Sequence, residues 1–280
     1  MSRMVKLVRV GDITLGDGNI YIQSMLNCPA HEISANVAQA KALEEAGCNI
    51  IRAAIPDMKA IALIPAIKKA VKMPLVADIH FDYKLALEAI EAGVDKIRIN
   101  PGNIGDKEKV AKVATACEAK GVPIRIGVNS GSLERDLLKK YGSPTAMALV
   151  ESAMRHVKML EDNDFHEIVI SIKSSNVDTM INSYRLLSQE CQYPLHLGVT
   201  EAGTERMGTI KSAIGIGSLL HDGIGETIRV SLTADPLREI VAAKDILRAM
   251  GRKGGLKIIS CPTCGRTKID LIELTSKLEK

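Results

Sequence analysis

The sequence contains no tryptophan, and aromatic residues make up only 2% of its 280 residues. Stacking platforms for nucleic-acid bases are therefore scarce, and no run of Lys and Arg is long enough to form a nucleic-acid-binding arm. No apolar run reaches the length that a membrane-spanning helix needs, and residues 1–10 lack the apolar core of a secretory signal peptide. These absences predict a protein that binds neither nucleic acid nor a membrane.

Closely spaced cysteines are also rare. Four of the six cysteines are scattered, and only Cys261 and Cys264 lie close together in the sequence. A small extracellular domain held by disulfides would show more cysteines at short spacings. The pattern therefore predicts a protein of the reducing cytoplasm.

A repeating unit dominates the rest of the chain, which is 46% hydrophobic. A short apolar strand, a polar or Gly-containing loop and an amphipathic helix recur eight times between residues 20 and 250. The predicted strands cover residues 21–25, 50–54, 75–79, 96–99, 124–128, 167–171, 195–199 and 227–230. Eight such units predict the α/β class and a (β/α)8 TIM barrel over residues 1–250, preceded by a hairpin within residues 3–20.

An open doubly wound sheet is the alternative architecture. It should carry a Gly-rich phosphate-binding turn after its first strand. The sequence has Leu26-Asn27-Cys28-Pro29 at that point, so the barrel is favoured.

The composition changes after residue 250. A Gly-rich basic break at residues 251–255 is followed by a predicted strand at 256–260, the pair Cys261-x-x-Cys264 and a predicted helix at 270–278. Residues 256–280 are too few to hold a core of their own. We interpret them as the start of a second, small α/β domain.

Charged side chains stand at the carboxyl ends of the predicted strands. Because side chains alternate between the two faces of a strand, Arg98 shares a face with Asn100, Arg125 with Asn129, and Arg229 with Ser231. The ends of all strands meet at one face of a closed barrel. The cations expected there are Arg52, Arg98, Arg125, Lys173 and Arg229.

Five like charges around one pocket are costly unless an anion offsets them. A diphosphate is the simplest counterpart, since guanidinium groups match phosphate oxygens. Each cation taken alone has the alternative of a salt-bridged core residue. Asp78 and Glu201 are the acids of this face, as counter-charges or as proton donors and acceptors, and His80 is either part of the site or a core histidine.

The spacing of Cys261 and Cys264 leaves three kinds of chemistry open. Two thiolates in this pattern ligate zinc, ligate an iron–sulfur cluster, or form a redox pair. A zinc or cluster site takes about four ligands, and no second pair of this kind follows in the sequence.

Several motifs resemble one known family in order and with little gapping. They are VADIHFDY (76–83), RINPGNIG (98–105), IRIGVNSGSLERDLL (124–138), ESAMRH (151–156), TEAG (200–203), KSAIGIG (211–217), IRVSLTADP (228–236) and CPTCGR (261–266). They look like the bacterial type of 4-hydroxy-3-methylbut-2-en-1-yl diphosphate synthase, an enzyme of the methylerythritol phosphate route to isoprenoids. The likeness runs from about residue 6 to the end of the sequence.

The resemblance implies an iron–sulfur oxidoreductase of the cytoplasm. Its substrate would be 2-C-methyl-D-erythritol 2,4-cyclodiphosphate, which is opened and loses a hydroxyl as water with two electrons from ferredoxin or flavodoxin. A [4Fe–4S] cluster held by three Cys and one Glu would supply them. The family forms a head-to-tail homodimer in which the cluster domain of one chain caps the barrel of the other.

The resemblance also implies roles for individual residues. Arg52, Arg98, Arg125 and Lys173 would hold the diphosphate, with hydrogen bonds from Asn100, Asn129 and Ser231. Glu201 would donate a proton to the departing hydroxyl or orient it, with Asp78 and His80 lining the same cup. Cys261 and Cys264 would be the first two cluster ligands.

This sequence departs from the family pattern in one respect. The family continues into a segment like Gly-Cys-x-x-Asn-Gly-Pro-Gly-Glu, with the third Cys and the Glu ligand, and this sequence does not contain it. We therefore expect a chain shortened at its carboxyl end that binds the cyclic diphosphate but does not turn it over alone. The alternatives are a pterin-binding barrel like dihydropteroate synthase and a non-catalytic binding protein with a zinc knuckle.

Overall fold

The computed structural model describes residues 3–80, 82–100, 104, 107–252, 254 and 258–279. Within these ranges an eight-stranded parallel sheet alternates with helices along the chain. The strands of this sheet are β3 (Tyr21–Met25), β4 (Ile50–Ala54), β5 (Leu75–Asp78), β6 (Lys96–Ile99), β7 (Ile124–Asn129), β8 (Ile168–Lys173), β9 (His196–Leu197) and β10 (Thr227–Ile228). The predicted α/β barrel is confirmed.

The sheet closes on itself. The strands follow one another in the order β8-β7-β6-β5-β4-β3-β10-β9, and a parallel bridge between Ile170 and Leu195 joins β8 to the start of β9. Closure brings the carboxyl ends of all eight strands to one face, as the site requires.

Helices cover the outside of the barrel. They are α1 (Ile33–Glu45), α2 (Leu63–Ala70), α3 (Tyr83–Glu91), α4 (Lys107–Lys120), α5 (Arg135–Tyr141), α6 (Ala146–Glu161), α7 (Val177–Glu190), α8 (Glu205–His221) and α9 (Pro236–Ala249), with 3-10 turns at Met58–Ala62 and Ser130–Ser132. None of the helices within the described ranges is long and apolar enough to cross a bilayer.

Alternation along the strands sorts side chains between two environments. On β6, Ile97 and Ile99 pack into the main hydrophobic core, while Lys96 and Arg98 are absent from that core although they are buried. Because β6 is a strand of period two, the two isoleucines face the helices and the two cations face the barrel interior. The same alternation on β7 and β8 gives this barrel an unusually polar interior.

A hairpin closes the amino end of the barrel. Strands β1 (Val8–Val10) and β2 (Ile13–Leu15) pair antiparallel, which confirms the hairpin predicted within residues 3–20. Its Val8, Val10 and Leu15 form a separate apolar cluster with Ile50, Val76 and Val169 from inside the barrel. All of these side chains are fully buried, so the hairpin seals this end.

The carboxyl-terminal segment differs from the prediction in part. The predicted helix is present as α10 (Leu271–Glu279). The predicted strand at 256–260 is wrong for residues 258–260, which are exposed and have no partner strand, because a strand needs a neighbour to pair its backbone groups. Residues 256 and 257 lie outside the described residues.

Candidate functional site

Five cationic side chains meet at the carboxyl face of the barrel, and we call them the cationic cup. They are Arg52 of β4, Arg98 of β6, Arg125 of β7, Lys173 of β8 and Arg229 just after β10. Besides burial, Arg52 lowers the pKa of each of the other four, and Arg98, Arg125 and Arg229 each lower the pKa of at least one other member. The structure therefore brings together the cations that the sequence placed at separate strand ends.

Asp78 is the acid of the cup. Its Oδ2 accepts a hydrogen bond from Arg52 Nη2 at 2.5 Å, and its Oδ1 accepts one from Arg98 Nη1 at 3.3 Å. Burial would raise the pKa of this carboxyl, but Arg52, His80 and Arg98 outweigh burial and hold the pKa well below its usual range. Asp78 is thus a carboxylate at neutral pH and acts as counter-charge and brace for two arginines.

His80 stands at the rim above Asp78. Its side chain is half exposed, with Nε2 3.2 Å from Asp78 Oδ2 and Nδ1 3.3 Å from Arg98 Nη1. The resemblance implied that Asp78 and His80 line the same cup, and the two side chains are in contact in the structure. The imidazole is the member of this cluster that solvent or a ligand reaches.

A glycine makes room for Arg98. The guanidinium crosses the backbone of β7 and donates from Nη2 to the carbonyl oxygen of Gly127 at 3.3 Å. A Cβ atom at residue 127 would lie 2.9 Å from Arg98 Cζ, closer than a real Cβ approaches another atom. Gly127 is therefore required by the position of Arg98.

Arg125 lies beneath the open part of the cup. It is fully buried, and its Nη1 donates to Gln23 Oε1 at 3.4 Å. Its Nε and Nη2 have no hydrogen-bond partner among the described residues. Burial lowers the pKa of Arg125 well below its usual value, and Arg52 and Arg98 lower it further.

Lys96, which the sequence analysis did not select, extends this buried layer. It is fully buried, and Nζ has no hydrogen-bond partner within the part of the chain that the structure describes. Burial and then Arg125 lower the pKa of this amine well below its usual value. His196 of β9 lies in the same layer with Nδ1 2.8 Å from Thr227 Oγ1, and burial and the same cations lower its pKa too.

Lys173 borders a small cavity of about 40 Å³ at the ends of β8, β9 and β10. The wall includes Arg52, Ser171, Lys173, His196, Arg229 and Ser231. Burial, followed by Arg52, Arg98 and Arg125, lowers the pKa of Lys173 to about 5. The free amine is therefore neutral at pH 7 and becomes a cation when an anion compensates its neighbours.

The predicted amides take different positions. Asn100 is buried at the end of β6, and its backbone carbonyl oxygen accepts a hydrogen bond from Ile104 N at 3.2 Å. Asn129 is half-buried, and its Oδ1 accepts from Gly131 N at 3.2 Å, which caps the 3-10 turn after β7.

Glu201 lies at the edge of this region rather than inside it. It follows Thr200, a residue of the cavity wall, but its own side chain is exposed. Its φ of 51° is in the left-handed region, which a non-glycine residue seldom adopts. No hydrogen bond or ion pair joins Glu201 to the cup among the described residues.

Glu239 is a functional neighbour that sequence reasoning missed. It lies in the first turn of α9, is buried, and places Oε1 3.5 Å from Arg229 Nη2. The sequence analysis did not select it, because helical periodicity does not reveal which side chain of a helix reaches into a barrel.

Cys261 and Cys264 are both exposed and are not joined by a disulfide. Hydrogen bonds from Arg266, foremost its backbone N–H, lower the pKa of the Cys264 thiol, and thiolate is the form that binds metals. Two donors fall short of the four that a [4Fe–4S] cluster takes. Within the described ranges no group of three or more His, Cys, Asp and Glu side chains is arranged to hold a metal ion.

Comparison with protein families gives a match over most of the chain. The model described as the GcpE TIM-barrel domain matches residues 5–244. A 4-hydroxy-3-methylbut-2-en-1-yl diphosphate synthase (flavodoxin) of Clostridium perfringens is 61% identical over 275 residues, which are 98% of this chain and 79% of that protein. The protein of the same name from Caldanaerobacter subterraneus is 55% identical over 282 residues, with 100% and 79% covered.

Solved structures show a more distant likeness. Dihydropteroate synthase from Stenotrophomonas maltophilia superposes with a TM-score of 0.66 at 16% identity, covering 88% of this chain and 97% of that one. A phospho-2-dehydro-3-deoxyheptonate aldolase from Thermotoga maritima gives a TM-score of 0.59 at 14% identity, with 90% and 75% covered. At such identities the likeness supports the barrel fold alone.

Proposed function

The chain belongs to the 4-hydroxy-3-methylbut-2-en-1-yl diphosphate synthase family, and from this membership we propose that it acts on 2-C-methyl-D-erythritol 2,4-cyclodiphosphate. The reaction is a reductive ring opening with loss of one hydroxyl as water, and the product is 4-hydroxy-3-methylbut-2-enyl diphosphate. The observation that carries the proposal is the cationic cup at the carboxyl face of the barrel.

The charge of the cup suits a diphosphate. Four arginines and the amine of Lys173 face two buried carboxylates, Asp78 and Glu239. The arginines alone leave an excess of positive charge, which a bound anion would offset. Arg52 and Arg98 are already fixed by Asp78, and a guanidinium held in place loses little freedom on binding. We propose Arg52, Arg98, Arg125, Lys173 and Arg229 as the diphosphate ligands, with hydrogen bonds from Asn100, Asn129 and Ser231.

We propose that the departing hydroxyl is protonated at the edge of the cationic cup. The departing hydroxyl takes up one proton to leave as water, and Glu201, next to the cavity wall, is our candidate donor. Asp78 has no proton to give at neutral pH, because Arg52 and Arg98 keep it ionised. Its proposed role is to orient those arginines, and His80 is proposed to contact the ligand from the exposed side.

An iron–sulfur cluster is proposed as the family's electron carrier, with Cys261 and Cys264 as two of its ligands. The thiols are accessible and of the right donor type, and they belong to the segment after residue 256 that we propose as the start of a second domain. The test is the iron and sulfide content after anaerobic reconstitution. Cys261→Ser and Cys264→Ser should lower both, Cys28→Ser should not, and unchanged iron in the first two variants would contradict the assignment.

Flavodoxin is the proposed electron donor, because the curated relatives carry that word in their names; ferredoxin is the alternative. Since all six cysteines are free thiols, we propose that the protein works in the cytoplasm, where thiols stay reduced.

A homodimer is proposed as the working state. On the outer face of α8, Met207, Ile210 and Ile214 are exposed at spacings of three and four residues, and Val241 of the adjacent α9 is exposed as well. Apolar stripes of this kind mark protein contacts.

In the head-to-tail arrangement, residues 258–279 of one chain, which expose Ile259, Ile269 and Ile272, would cap the partner's barrel. Sedimentation of Ile210→Glu should show loss of the dimer.

The rival assignments have less support. A pterin-binding barrel rests on a likeness of 16% identity, against 61% to the synthase from Clostridium perfringens. A zinc knuckle without catalysis would leave the cationic cup unexplained.

Calorimetric titration with the cyclic diphosphate tests the proposal. The protein should bind it, and a pterin diphosphate should bind more weakly. Absence of binding of the cyclic compound would overturn the proposed function, whatever the state of the cluster.

A further inference from the structure

The barrel has a weak seam beside the cup. Strands β3 and β10 pair over only two residue pairs, Thr227 with Tyr21 and Ile228 with Ile22. Beyond them Arg229 N still donates to Leu197 O on the β9 side at 2.9 Å. No ladder pair joins β3 to residues 229–231 in the described chain. The wall that carries Arg229 and Ser231 therefore lacks backbone support on one side.

A single carboxylate spans this seam. Glu239 Oε2 accepts from Ser24 Oγ of β3 at 3.2 Å. Its Oε1 accepts from Leu232 N in the loop after β10 at 3.1 Å and lies 3.5 Å from Arg229 Nη2. The side chain thus joins β3, Arg229 and the following loop where the strands themselves no longer pair.

The residues just before Glu239 determine where its helix, α9, begins. Asp235 caps α9 by accepting from Leu237 N at 2.8 Å, and Pro236 begins the helix, where its fixed φ suits a first turn. Glu239 follows in that first turn and is buried. Burial of a carboxylate costs free energy unless hydrogen bonds or ion pairs replace its contacts with water. The partners of Glu239 are therefore what keep it buried.

Arg229 depends on this contact. Its Nη1 donates to the sulfur of Met25 at 3.6 Å, and its Nε has no partner among the residues described. Glu239 is the one carboxylate that the described structure pairs with it. Without Glu239 the guanidinium would be free to turn out of the cavity wall.

We propose that Glu239 is a positioning residue of the anion site, which fixes Arg229 and the wall bearing Ser231 in the geometry that receives phosphate oxygens. The inference rests on the proposed function, since it concerns the same cup. Glu239 contributes through the hydrogen bonds that its two oxygens make across the seam rather than through its negative charge. The charge alone would repel an anion in the cup and weaken its binding.

Two substitutions of Glu239 distinguish the effect of its side-chain length from the effect of its negative charge. Glu239→Gln removes the charge but keeps an oxygen for Leu232 N and Arg229 and an N–H for Ser24 Oγ. Glu239→Asp keeps the charge but is one methylene too short to span the seam. The matched control is Glu226→Asp, since Glu226 is also buried, accepts from a backbone N–H at Leu195 and pairs with Arg3, but at residues that precede β9 and β10.

The measurement is the dissociation constant of inorganic pyrophosphate by calorimetry, with thermal melts of the same samples. We expect Glu239→Asp to weaken binding by about tenfold or more, the effect of one lost charge-assisted hydrogen bond. Glu239→Gln should stay within about threefold of the wild type, and Glu226→Asp should not change the affinity. In an Arg229→Gln background, Glu239→Asp should weaken binding less than it does in the wild type, since only its effect on the wall bearing Ser231 remains.

The opposite ranking would overturn the inference. If Glu239→Gln tightens binding and Glu239→Asp leaves it unchanged, the residue acts as a charge alone. If Glu239→Asp lowers only the melting temperature, as Glu226→Asp would, the role is structural. Failure of the wild type to bind pyrophosphate would instead count against the proposed function itself.

Discussion

Asp78 and Arg52 form a buried ion pair in which Oδ2 and Nη2 lie 2.5 Å apart, with side-chain exposures of 1% and 5%. Because Arg98 shares the same carboxylate, one acid holds two guanidinium groups in place. This pair connects the stability of the barrel with the charge of its binding site.

Replacing Asp78 by Asn should destabilise the protein strongly. Two buried arginines would lose their counter-charge, and breaking a buried pair costs about 3–5 kcal/mol. Urea unfolding should show this loss, whereas Asp245→Asn, which removes an exposed partner of Arg248, should change stability by less than about 0.5 kcal/mol. Added pyrophosphate should recover part of the loss, since it supplies the missing negative charge. Equal stability of the two variants would contradict the role of Asp78.

Arg98→Ala should weaken binding of the cyclic diphosphate by about 1.5–3 kcal/mol, the scale of a hydrogen bond between charged groups. Arg98 is already aligned by Asp78 and by Gly127 O, so its loss removes a prepared contact. Calorimetry gives the comparison, with Arg185→Ala as the control, because Arg185 pairs with Asp222 on the exposed surface. An unchanged affinity for Arg98→Ala would remove Arg98 from the diphosphate site.

Ligand binding should take up a proton at Lys173. Its pKa is lowered to about 5 by burial and by Arg52, Arg98 and Arg125, so at pH 7 the free protein holds it neutral. A bound diphosphate raises that pKa towards the ordinary value, and between pH 5 and the raised pKa the complex holds up to one more proton. Below pH 5 the amine is already protonated and the uptake should vanish.

Calorimetry of pyrophosphate binding in buffers of different ionisation enthalpy measures this uptake. Lys173→Met should remove it, and subtracting the variant's value cancels the protons that the ligand itself exchanges. If the wild type and Lys173→Met show the same buffer dependence at pH 7, Lys173 is not the acceptor.

Lys96→Met should stabilise the protein. The amine is fully buried with a pKa well below its usual 10.5, so at pH 7 the unfolded chain holds a proton that the folded one resists. The resulting loss of stability is present at neutral pH and disappears only as pH rises through the unfolded pKa. Lys96→Met also removes a buried polar group without a hydrogen-bond partner in the described chain, and burial of such a group costs about 1–3 kcal/mol.

Unfolding in urea at pH 7 and at pH 10.5 tests this point. The gain for Lys96→Met should be largest at pH 7 and shrink at the higher pH, while Lys41→Met, at an exposed position on α1, should have little effect at either. A loss of stability at pH 7 would show that Lys96 has an acceptor that stabilises its charge.

The sequence was sufficient to predict the barrel and the direction of the strand-end side chains. Period-two alternation placed Arg98 with Asn100 and Arg125 with Asn129, and closure of a barrel makes such ends converge whatever the lengths of the helices. The bounds of β9 and β10 were less well predicted, since only two residues of each are strand, and pairing there depends on neighbours far along the chain.

Glu239, Lys96 and Gln23 could not be selected in the same way. Lys96 begins a strand and reads as a solvated end, yet its long side chain runs into the barrel interior. Glu239 reads as one more acid at the start of a helix, where acids favour the helix dipole. Its contacts with Ser24 and Leu232 exist only because α9 returns to the first strand of the barrel, which is 215 residues away in the sequence from Glu239.

The hairpin of β1 and β2 determines at which end of the barrel a ligand can bind and leave. With Val8, Val10 and Leu15 packed into the amino end, that end is closed, and the carboxyl face is the side on which the cationic cup opens. In the proposed function, substrate and product would then use the same opening and the same cations. The cationic cup would have to release the product diphosphate as well as bind the substrate diphosphate, so tighter binding of the substrate would slow release of the product.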